Sequence, residues 1–469
     1  MCGVIGFYSP EHDAFHDVIN GLFQMQHRGQ DACGVAISDG RRVRLHKGMG
    51  YVREVFHEPP SEEFAGRIAC GHVRYPTQGG NRAENTQPHK VTTLDGPILA
   101  LCSNGDIVNY WGIREWLESR GVDFEGTNDG EVLLKYIAYL HVAEGLPLVR
   151  AIRRLQEDIR GAYSAVLVAR DQLYAFRDPY AVRPMTFGTD GKDWLVASET
   201  PALDIARMDL VGEVEAGEII CWSAEGMVRM PHPDIVAARR GRPNTAHCVF
   251  EHIYFSRPDS IAYGDRAYGV RKRIGAWLAE TEDVEADVVV PVPDSSNAVA
   301  LGYAQASGLP FEIGLIRNHY VGRTFIRPDQ TRRDEGVRMK FNPVRDVFKG
   351  KRVILVDDSI VRGTTSRKLV RMIRGAGARE IHMRVGSPVT AHSCFYGIDT
   401  PRRKELIGSR MSHDEIREYI TADTLRYTSV EGLRASINDP DGYCFACFDG
   451  NYPIAVAEEK QMELVEAGD

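Results

Sequence analysis

No stretch of this sequence is long and apolar enough to cross a bilayer, which excludes a chain threaded through a membrane by helices. A signal peptide is also missing: Gly3–Tyr8 is too short for a hydrophobic region, and Glu11, His12 and Asp13 follow it closely. No domain carries a strong excess of Lys and Arg, and the net charge of -8 argues against nucleic-acid binding. Internal repeats and low-complexity segments are absent too, which excludes solenoids. These absences leave a cytoplasmic, reducing compartment as the expectation. There, nine cysteines point to catalysis, metal binding or burial before disulfides.

What is present is a chain of 469 residues, 43% hydrophobic and 26% charged, enough for two globular domains. In the first half, short runs of strand type (Gly3–Tyr8, Gly34–Ser38, Ile68–Val73, Ile98–Cys102, Tyr163–Ala169, Leu173–Arg177, Trp194–Ser198) alternate with helical patterns at Asp17–Gln26 and Glu131–His141. The mixture predicts a layered sandwich over 1–235. A polar, Gly/Pro-punctuated stretch around 236–246 reads as a linker. The second domain, 247–469, differs in character. Val288–Pro291 and Val353–Val356 are continuous β-branched and apolar runs, each followed by a helix, as buried parallel strands require.

Four segments of the first half carry chemistry. The chain opens Met1-Cys2-Gly3, and a small residue after Met1 permits removal of the initiator. Cys2 would then hold a thiol and a free α-amine whose pKa of roughly 7.7–8.0 suits it as a base near neutral pH. Arg74, in Gly71-His72-Val73-Arg74-Tyr75, stands just after a strand and could fork a carboxylate, or form a surface ion pair. In Ser103-Asn104-Gly105-Asp106, Asn104 offers a side-chain N–H and Gly105 a backbone N–H, as an oxyanion hole or as an ordinary turn. Asp129 could pair with an α-ammonium or cap a helix.

Together with His27-Arg28-Gly29-Gln30-Asp31, these segments resemble the N-terminal-nucleophile glutamine amidotransferases. The resemblance implies an α-β-β-α sandwich. Cys2 would form the thioester, Asn104 and Gly105 would hold the oxyanion, and Arg74 and Asp129 would grip glutamine. The chain departs from that pattern at Ser103, where His is common, and at Asp106, where Asn is common.

The most specific segment lies in the second half. Val353–Val356 ends in Asp357-Asp358, then Ser359-Ile360-Val361-Arg362-Gly363-Thr364-Thr365 turns into a helix. Ligands of parallel sheets bind at the carboxyl ends of strands, and free N–H groups at a helix start favour phosphate. An Asp-Asp turn with a Ser/Thr cap is the alternative, which thirteen residues fitting one plan disfavour. The segment resembles the phosphoribosyl pyrophosphate (PRPP) signature of type I phosphoribosyltransferases, a fold with a parallel sheet. That resemblance implies PRPP contacts from Asp357, Asp358, Ser359, Arg362, Gly363, Thr364 and Thr365. Asp294 and Ser295 would form a pyrophosphate loop, with Mg²⁺ at Ser295, Asp357 and Asp358. Tyr320, Arg323 and Lys340 lie in a basic stretch, Arg317–Phe341, that reads as a solvated loop or as a lid excluding water.

The two halves together resemble the glutamine PRPP amidotransferases, iron–sulfur subclass, along nearly the whole chain. This implies transfer of glutamine nitrogen to PRPP as the committed step of purine synthesis, inhibition by purine nucleotides, and a homotetramer or homodimer. Cys444 and Cys447 form a C-x-x-C pair, which alone allows zinc, a redox pair, a cluster or plain burial. The resemblance adds Cys248 and Cys394 and implies a [4Fe-4S] cluster. Cys33, Cys70, Cys102 and Cys221 lie in or beside strand-like runs and are expected to be buried. Some cluster-bearing relatives carry a leader before the nucleophile; none precedes it here, so self-processing is not expected. Another amidotransferase of the same class, or a PRPP-sensing regulator without catalysis, would each share one half of these features.

Overall fold

The computed structural model describes residues 1–57, 64–75, 80–93, 96–238, 245–320 and 339–456. The strands of the first half are β1 (Gly3–Tyr8), β2 (Ala32–Ser38), β3 (Val43–Met49), β4 (Ile68–Arg74), β5 (His89–Thr93), β6 (Gly96–Ile107), β7 (Gly161–Ala169), β8 (Gln172–Arg177), β9 (Thr186–Thr189), β10 (Trp194–Ala197), β11 (Asp209–Glu213), β12 (Ile219–Ser223) and β13 (Gly226–Met230). They build two antiparallel sheets, in the orders β11-β9-β10-β1-β4-β2-β3 and β13-β12-β8-β7-β6-β5. Between the sheets lies an apolar layer that includes Val4, Ala36, Cys70, Ala100, Cys102, Val166 and Val196.

Each outer face is closed by helices. Phe15–Gln24 turns Phe15, Val18, Ile19 and Leu22 onto the first sheet. Each such side chain contributes roughly 1.5–3 kcal/mol when fully buried. Asp129–Ala138 and Leu148–Asp158 cover the second sheet. The result is the expected α-β-β-α sandwich. With both faces covered, β1, β2, β4 and β7 are buried at every position, which is why these strands read as continuous apolar runs.

The second half holds β14 (His247–Cys248), β15 (Ile261–Ala262), β16 (Asp265–Arg266), β17 (Val288–Pro291), β18 (Leu315–Arg317), β19 (Phe341–Pro343), β20 (Arg352–Asp357), β21 (Glu380–Val385), β22 (Thr424–Tyr427) and β23 (Tyr443–Cys444). Its core is a parallel sheet ordered β17-β20-β21-β22. The helices Asn297–Ser307 and Thr364–Gly375 follow β17 and β20, as the apolar runs predict. Both strands therefore present their carboxyl ends, and the loops after them, on one edge of the sheet.

Two expectations shift. The segment Ser103–Asp106 does not follow a strand; β6 runs through it to Ile107, because Ser103, Asn104 and Gly105 pair with Ala165, Ser164 and Tyr163 of β7. A turn at Asn104-Gly105 is thereby excluded. The helix Pro233–Ala238 enters the start of the expected linker, of which residues 239–244 lie outside the described residues. No helix among the described residues is long and apolar enough to cross a membrane.

Candidate functional site

Cys2 sits at the head of β1, between β4 and β10, and is buried. With Met1 in place its nitrogen is a peptide N–H, and it donates to Asn104 Oδ1 at 3.1 Å. The Cys2 thiol lies 3.5 Å from the Tyr75 carbonyl oxygen. Asn104 is itself buried, and its Nδ2 has no hydrogen-bond partner among the described residues. A buried amide N–H left without an acceptor loses about 1–3 kcal/mol of hydration, so the donor is poised for a ligand. Gly105 follows at φ +155°, where a Cβ would stand 1.9 Å from the Ala162 carbonyl oxygen. Only glycine fits there.

Arg74 closes β4 as its last residue, one position before Tyr75, the acceptor for the Cys2 thiol. Its Nη2 donates to the Gly80 carbonyl oxygen at 2.8 Å. Burial holds the Arg74 pKa below its ordinary value, while Cys2 and Asp129 stand among the anionic partners that raise it. Asp129 is the first residue of the helix Asp129–Ala138; the capping role belongs to Asn128, whose side chain accepts from the Gly130 N–H. Thus Cys2, Arg74, Asn104, Gly105 and Asp129 converge from three strands and one helix start.

Sequence reasoning quoted Arg28 without giving it a task, and passed over its partners. Arg28 Nε donates to the Cys2 carbonyl oxygen at 3.0 Å. Its Nη1 reaches Glu199 at 2.5 Å and its Nη2 reaches Glu251 at 2.7 Å. All three are fully buried. Burial opposes the charge on Arg28, but Glu251 and Glu199 outweigh it and raise its pKa. Burial likewise opposes both carboxylates, yet His27 and Arg28 at Glu199, and Arg28 and Arg183 at Glu251, bring them below the ordinary range. Glu251 belongs to the second half, so the network ties the two halves together beneath Cys2. Arg183 adds a second tie, donating from Nε to the Tyr396 carbonyl oxygen at 2.8 Å.

In the second half, Asp357 ends β20 and Asp358 follows it. Ser295 Oγ donates to Asp358 Oδ1 at 2.5 Å, Ser359 Oγ to Asp358 Oδ2 at 2.7 Å, and Ser296 Oγ to Asp357 Oδ1 at 3.4 Å. Burial, and then the neighbouring Asp358, push the Asp357 pKa upward. Two adjacent carboxyls held this way form an oxygen-rich position that fits a hard divalent cation. Gly363 caps the helix Thr364–Gly375 at φ +75°, leaving Thr364 and Thr365 exposed at its start. Asp294 is paired with Arg317 at 2.7 Å, and Arg362 with Glu405 at 2.9 Å. Tyr320 is 99% exposed, and Lys340 lies 5.3 Å from the Phe341 ring centroid. Arg323, like Thr324, Phe325, Arg332, Arg333 and Arg338, lies outside the described residues.

The four cysteines of the expected cluster come together. Strands β14 and β23 pair in parallel with Cys248 opposite Cys444, and the N–H groups of Ala391 and His392 both donate to the Cys447 carbonyl oxygen at 3.1 Å. The Tyr396 N–H lies 3.3 Å from Cys394 Sγ. Burial pushes the Cys248 thiol up to about 11, and Arg183 opposes that shift. Burial, and then Cys444, Cys248 and Cys394, raise Cys447. Among the described residues, no group of three or more His, Cys, Asp or Glu is placed to hold a metal ion. Arg183 and the Tyr396 N–H beside these sulfurs suit thiolates as ligands in general. Cys33, Cys70, Cys102 and Cys221 are buried, as expected.

A family model described as a glutamine amidotransferase domain matches residues 80–205. The chain is 46% identical over 462 residues to an amidophosphoribosyltransferase of Synechocystis, covering 97% of this chain and 92% of that one. It is 44% identical over 471 residues to the amidophosphoribosyltransferase of Bacillus subtilis, covering 99% and 96%. Among solved structures, glutamine PRPP amidotransferase from B. subtilis, complexed with ADP and GMP, superposes with a TM-score of 0.89 at 42% identity, covering 98% of each chain.

Proposed function

The chain belongs to the amidophosphoribosyltransferase family, and from that premise we propose that it transfers ammonia from glutamine to PRPP, giving 5-phosphoribosylamine, pyrophosphate and glutamate. This is the committed step of purine synthesis. The observation that carries the reading is the bifunctional grip of Asn104, whose Oδ1 holds the Cys2 nitrogen while its buried Nδ2 awaits an acceptor. Residues 1–235 are the glutaminase, 236–246 the linker and 247–469 the phosphoribosyltransferase with its cysteine-bearing segments.

Removal of Met1 frees the Cys2 α-amine, which takes the thiol proton as the sulfur attacks the glutamine carboxamide carbon. Negative charge then gathers on the carboxamide oxygen, where Asn104 Nδ2 and the Gly105 N–H donate to it; such a donor is worth about 10²–10³ in kcat. The Arg74 guanidinium holds the substrate carboxylate and Asp129 its ammonium. The tetrahedral carbon collapses to a thioester as the C–N bond breaks, and the protonated α-amine delivers its proton to the departing nitrogen. Water then opens the thioester to glutamate and regenerates the thiol.

At the second site, Asp357 and Asp358 face the ribose hydroxyls, and the N–H groups ahead of Thr364 and Thr365 cradle the 5-phosphate. Asp294 and Ser295 border the pyrophosphate, with Ser359, Arg362, Tyr320 and Lys340 around it; Arg323 is a further candidate on the sequence alone. Ser295, Asp357 and Asp358 would hold Mg²⁺, which would supply charge neutralisation for the departing pyrophosphate. The sulfurs of Cys248, Cys394, Cys444 and Cys447 would hold a [4Fe-4S] cluster, which would supply a structural clamp. Purine nucleotides inhibit, and the chain works in the cytoplasm as a homodimer or homotetramer.

The test is release of glutamate and pyrophosphate by anaerobically purified protein, with glutamine, Mg²⁺ and PRPP supplied or omitted in turn. Matched release of both supports the reading. PRPP binding with neither product would make the chain a sensor and overturn it. Cys2→Ala abolishes glutamine-dependent turnover and spares ammonia-dependent turnover; retained glutamine use would remove Cys2 as the nucleophile.

A further inference from the structure

The geometry points to Gln87 as a positioning residue that locks the oxyanion donors and the ammonium-binding carboxylate of the glutaminase into one frame. The inference rests on the glutaminase reading above and extends it to a residue outside the reacting atoms.

Strand β5 begins at His89, paired with Leu101 of β6. Carried two residues further, that register places Gln87 across from Ser103, beyond the end of the β5–β6 ladder. Pro88 stands between and has no N–H to offer. The side chain of Gln87 takes over the pairing. Its Oε1 accepts from the Ser103 N–H at 2.6 Å, and its Nε2 donates to the Ser103 carbonyl oxygen at 3.3 Å. A carboxamide carries one acceptor and one donor group, as a backbone peptide does, so it extends the ladder by one step. His72 Nε2 lies 3.2 Å from the same carbonyl oxygen, and burial and then Arg74 push its pKa down to about 3, so it is neutral there.

The same Nε2 of Gln87 also donates to Asn128 Oδ1 at 3.1 Å. Asn128 caps the helix that starts at Asp129, and His89 Nε2 lies 3.1 Å from that oxygen. One buried amide therefore grips the residue before Asn104 and the residue before Asp129. Ser103 itself is short: its Oγ lies 3.4 Å from Gln87 Oε1 and leaves room for the carboxamide where a larger side chain would stand. Glutamine is bound at one end by Asp129 and polarised at the other by Asn104 and Gly105, so the spacing of these groups must match the substrate. A misplacement of about 1 Å at such a site costs about 10²-fold in rate.

The experiment compares wild type, Cys2→Ser, Gln87→Met and Gln87→Glu in the full-length enzyme. Gln87→Met keeps volume and deletes every hydrogen bond; Gln87→Glu keeps shape and the acceptor for Ser103 but loses the donor. Glutamine-dependent and ammonia-dependent turnover are measured, together with Cys2 alkylation by iodoacetamide and by a diazo-ketone analogue of glutamine. For Gln87→Met, kcat/KM for glutamine falls by about 10–100-fold through both kcat and KM, with ammonia-dependent turnover within about twofold of wild type. Alkylation by the analogue slows in parallel, whereas alkylation by iodoacetamide, which needs only the thiol, does not. Gln87→Glu, which turns a second carboxylate oxygen toward the Ser103 carbonyl and Asn128 Oδ1, falls by at least as much. An unchanged kcat/KM in Gln87→Met overturns the inference. So does joint loss of glutamine- and ammonia-dependent turnover in both variants, which would make Gln87 a folding residue. Wild type that releases no glutamate would instead overturn the glutaminase reading itself.

Discussion

Replacing Glu251 by Gln removes one charge from the sealed junction beneath Cys2 and nothing from its volume. The carboxylate receives Arg28 Nη2 at 2.7 Å, Arg28 Nη1 at 3.1 Å and Ser256 Oγ at 2.9 Å, with Arg183 Nη1 at 3.5 Å. Without it, Glu199 is left to balance Arg28 while Arg183 loses its carboxylate partner, and neither arginine reaches water. Breaking a buried pair from one side costs about 3–5 kcal/mol, because the abandoned charge stays desolvated. The retained amide oxygen still accepts one hydrogen bond, so the lower end, about 3 kcal/mol, is expected, or more than a hundredfold in the folding equilibrium. The effect is insensitive to salt, since no solvent screens the site. Urea denaturation of Glu251→Gln, Arg183→Met and the double variant measures it, and the double variant should recover part of the loss. A loss in Glu251→Gln below about 1 kcal/mol, the range of exposed pairs, would refute the claim that this network is sealed and obligatory.

Gly105→Ala places a Cβ 1.9 Å from the Ala162 carbonyl oxygen and loses glutamine-dependent turnover by at least about 10²-fold, with ammonia-dependent turnover as the internal control. His72 and His89 are both held near 3, by burial first and by Arg74 and Lys47 respectively next, so they are neutral in the fold and titrate near 6.5 when unfolded. Each contributes stability that is present above pH 6.5 and is lost as pH falls toward 3, at up to about 1.4 kcal/mol per pH unit; urea midpoints between pH 7 and pH 4.5 test the slope, and a flat profile would contradict their neutrality. Cys444→Ser removes one of four sulfurs, and purified protein is expected to lose iron and its visible absorbance; wild-type protein containing zinc and no iron would replace the cluster with a zinc site.

The parallel sheet was legible because its strands are buried on both faces and therefore written in unbroken Val, Ile and Leu, as in Val353–Val356. The loop after it was legible because a carboxylate pair, a glycine and two threonines in sequence have few other uses. Strands β3, β11 and β13 escaped, since they lie at sheet edges with mostly half-exposed or exposed residues and carry no apolar period. Asn104-Gly105 looks like a turn by composition, yet β7 pairs with it throughout; tertiary pairing overrides local preference there. Arg28 was visible within His27–Asp31, but nothing in the sequence joins it to Glu251, 223 positions later. Gln87 was equally silent, because its importance lies in a register that only the assembled sheet defines.

Ammonia is mostly protonated at neutral pH and a protonated ammonia is no nucleophile, so on the proposed mechanism nitrogen released at Cys2 must reach the second site before water protonates it. The contacts between the halves are placed where such coupling would act. Glu251 stands three residues after Cys248 and reaches Arg28, which holds the Cys2 carbonyl. Gly397 stands three residues after Cys394, and a Cβ on it would lie 2.8 Å from the Gly105 carbonyl carbon, so the second half rests directly on β6. Arg183 lies between, bonded to the Tyr396 carbonyl oxygen and facing Cys248 and Cys394. The segments that carry the cysteines are thus the same ones that press on Gly105 and, through Arg28, on Cys2. A group that fastens Cys248, Cys394, Cys444 and Cys447 to one another therefore fastens the glutaminase geometry as well. Loosening those segments should impair glutamine use before it impairs PRPP binding at the far edge of the parallel sheet.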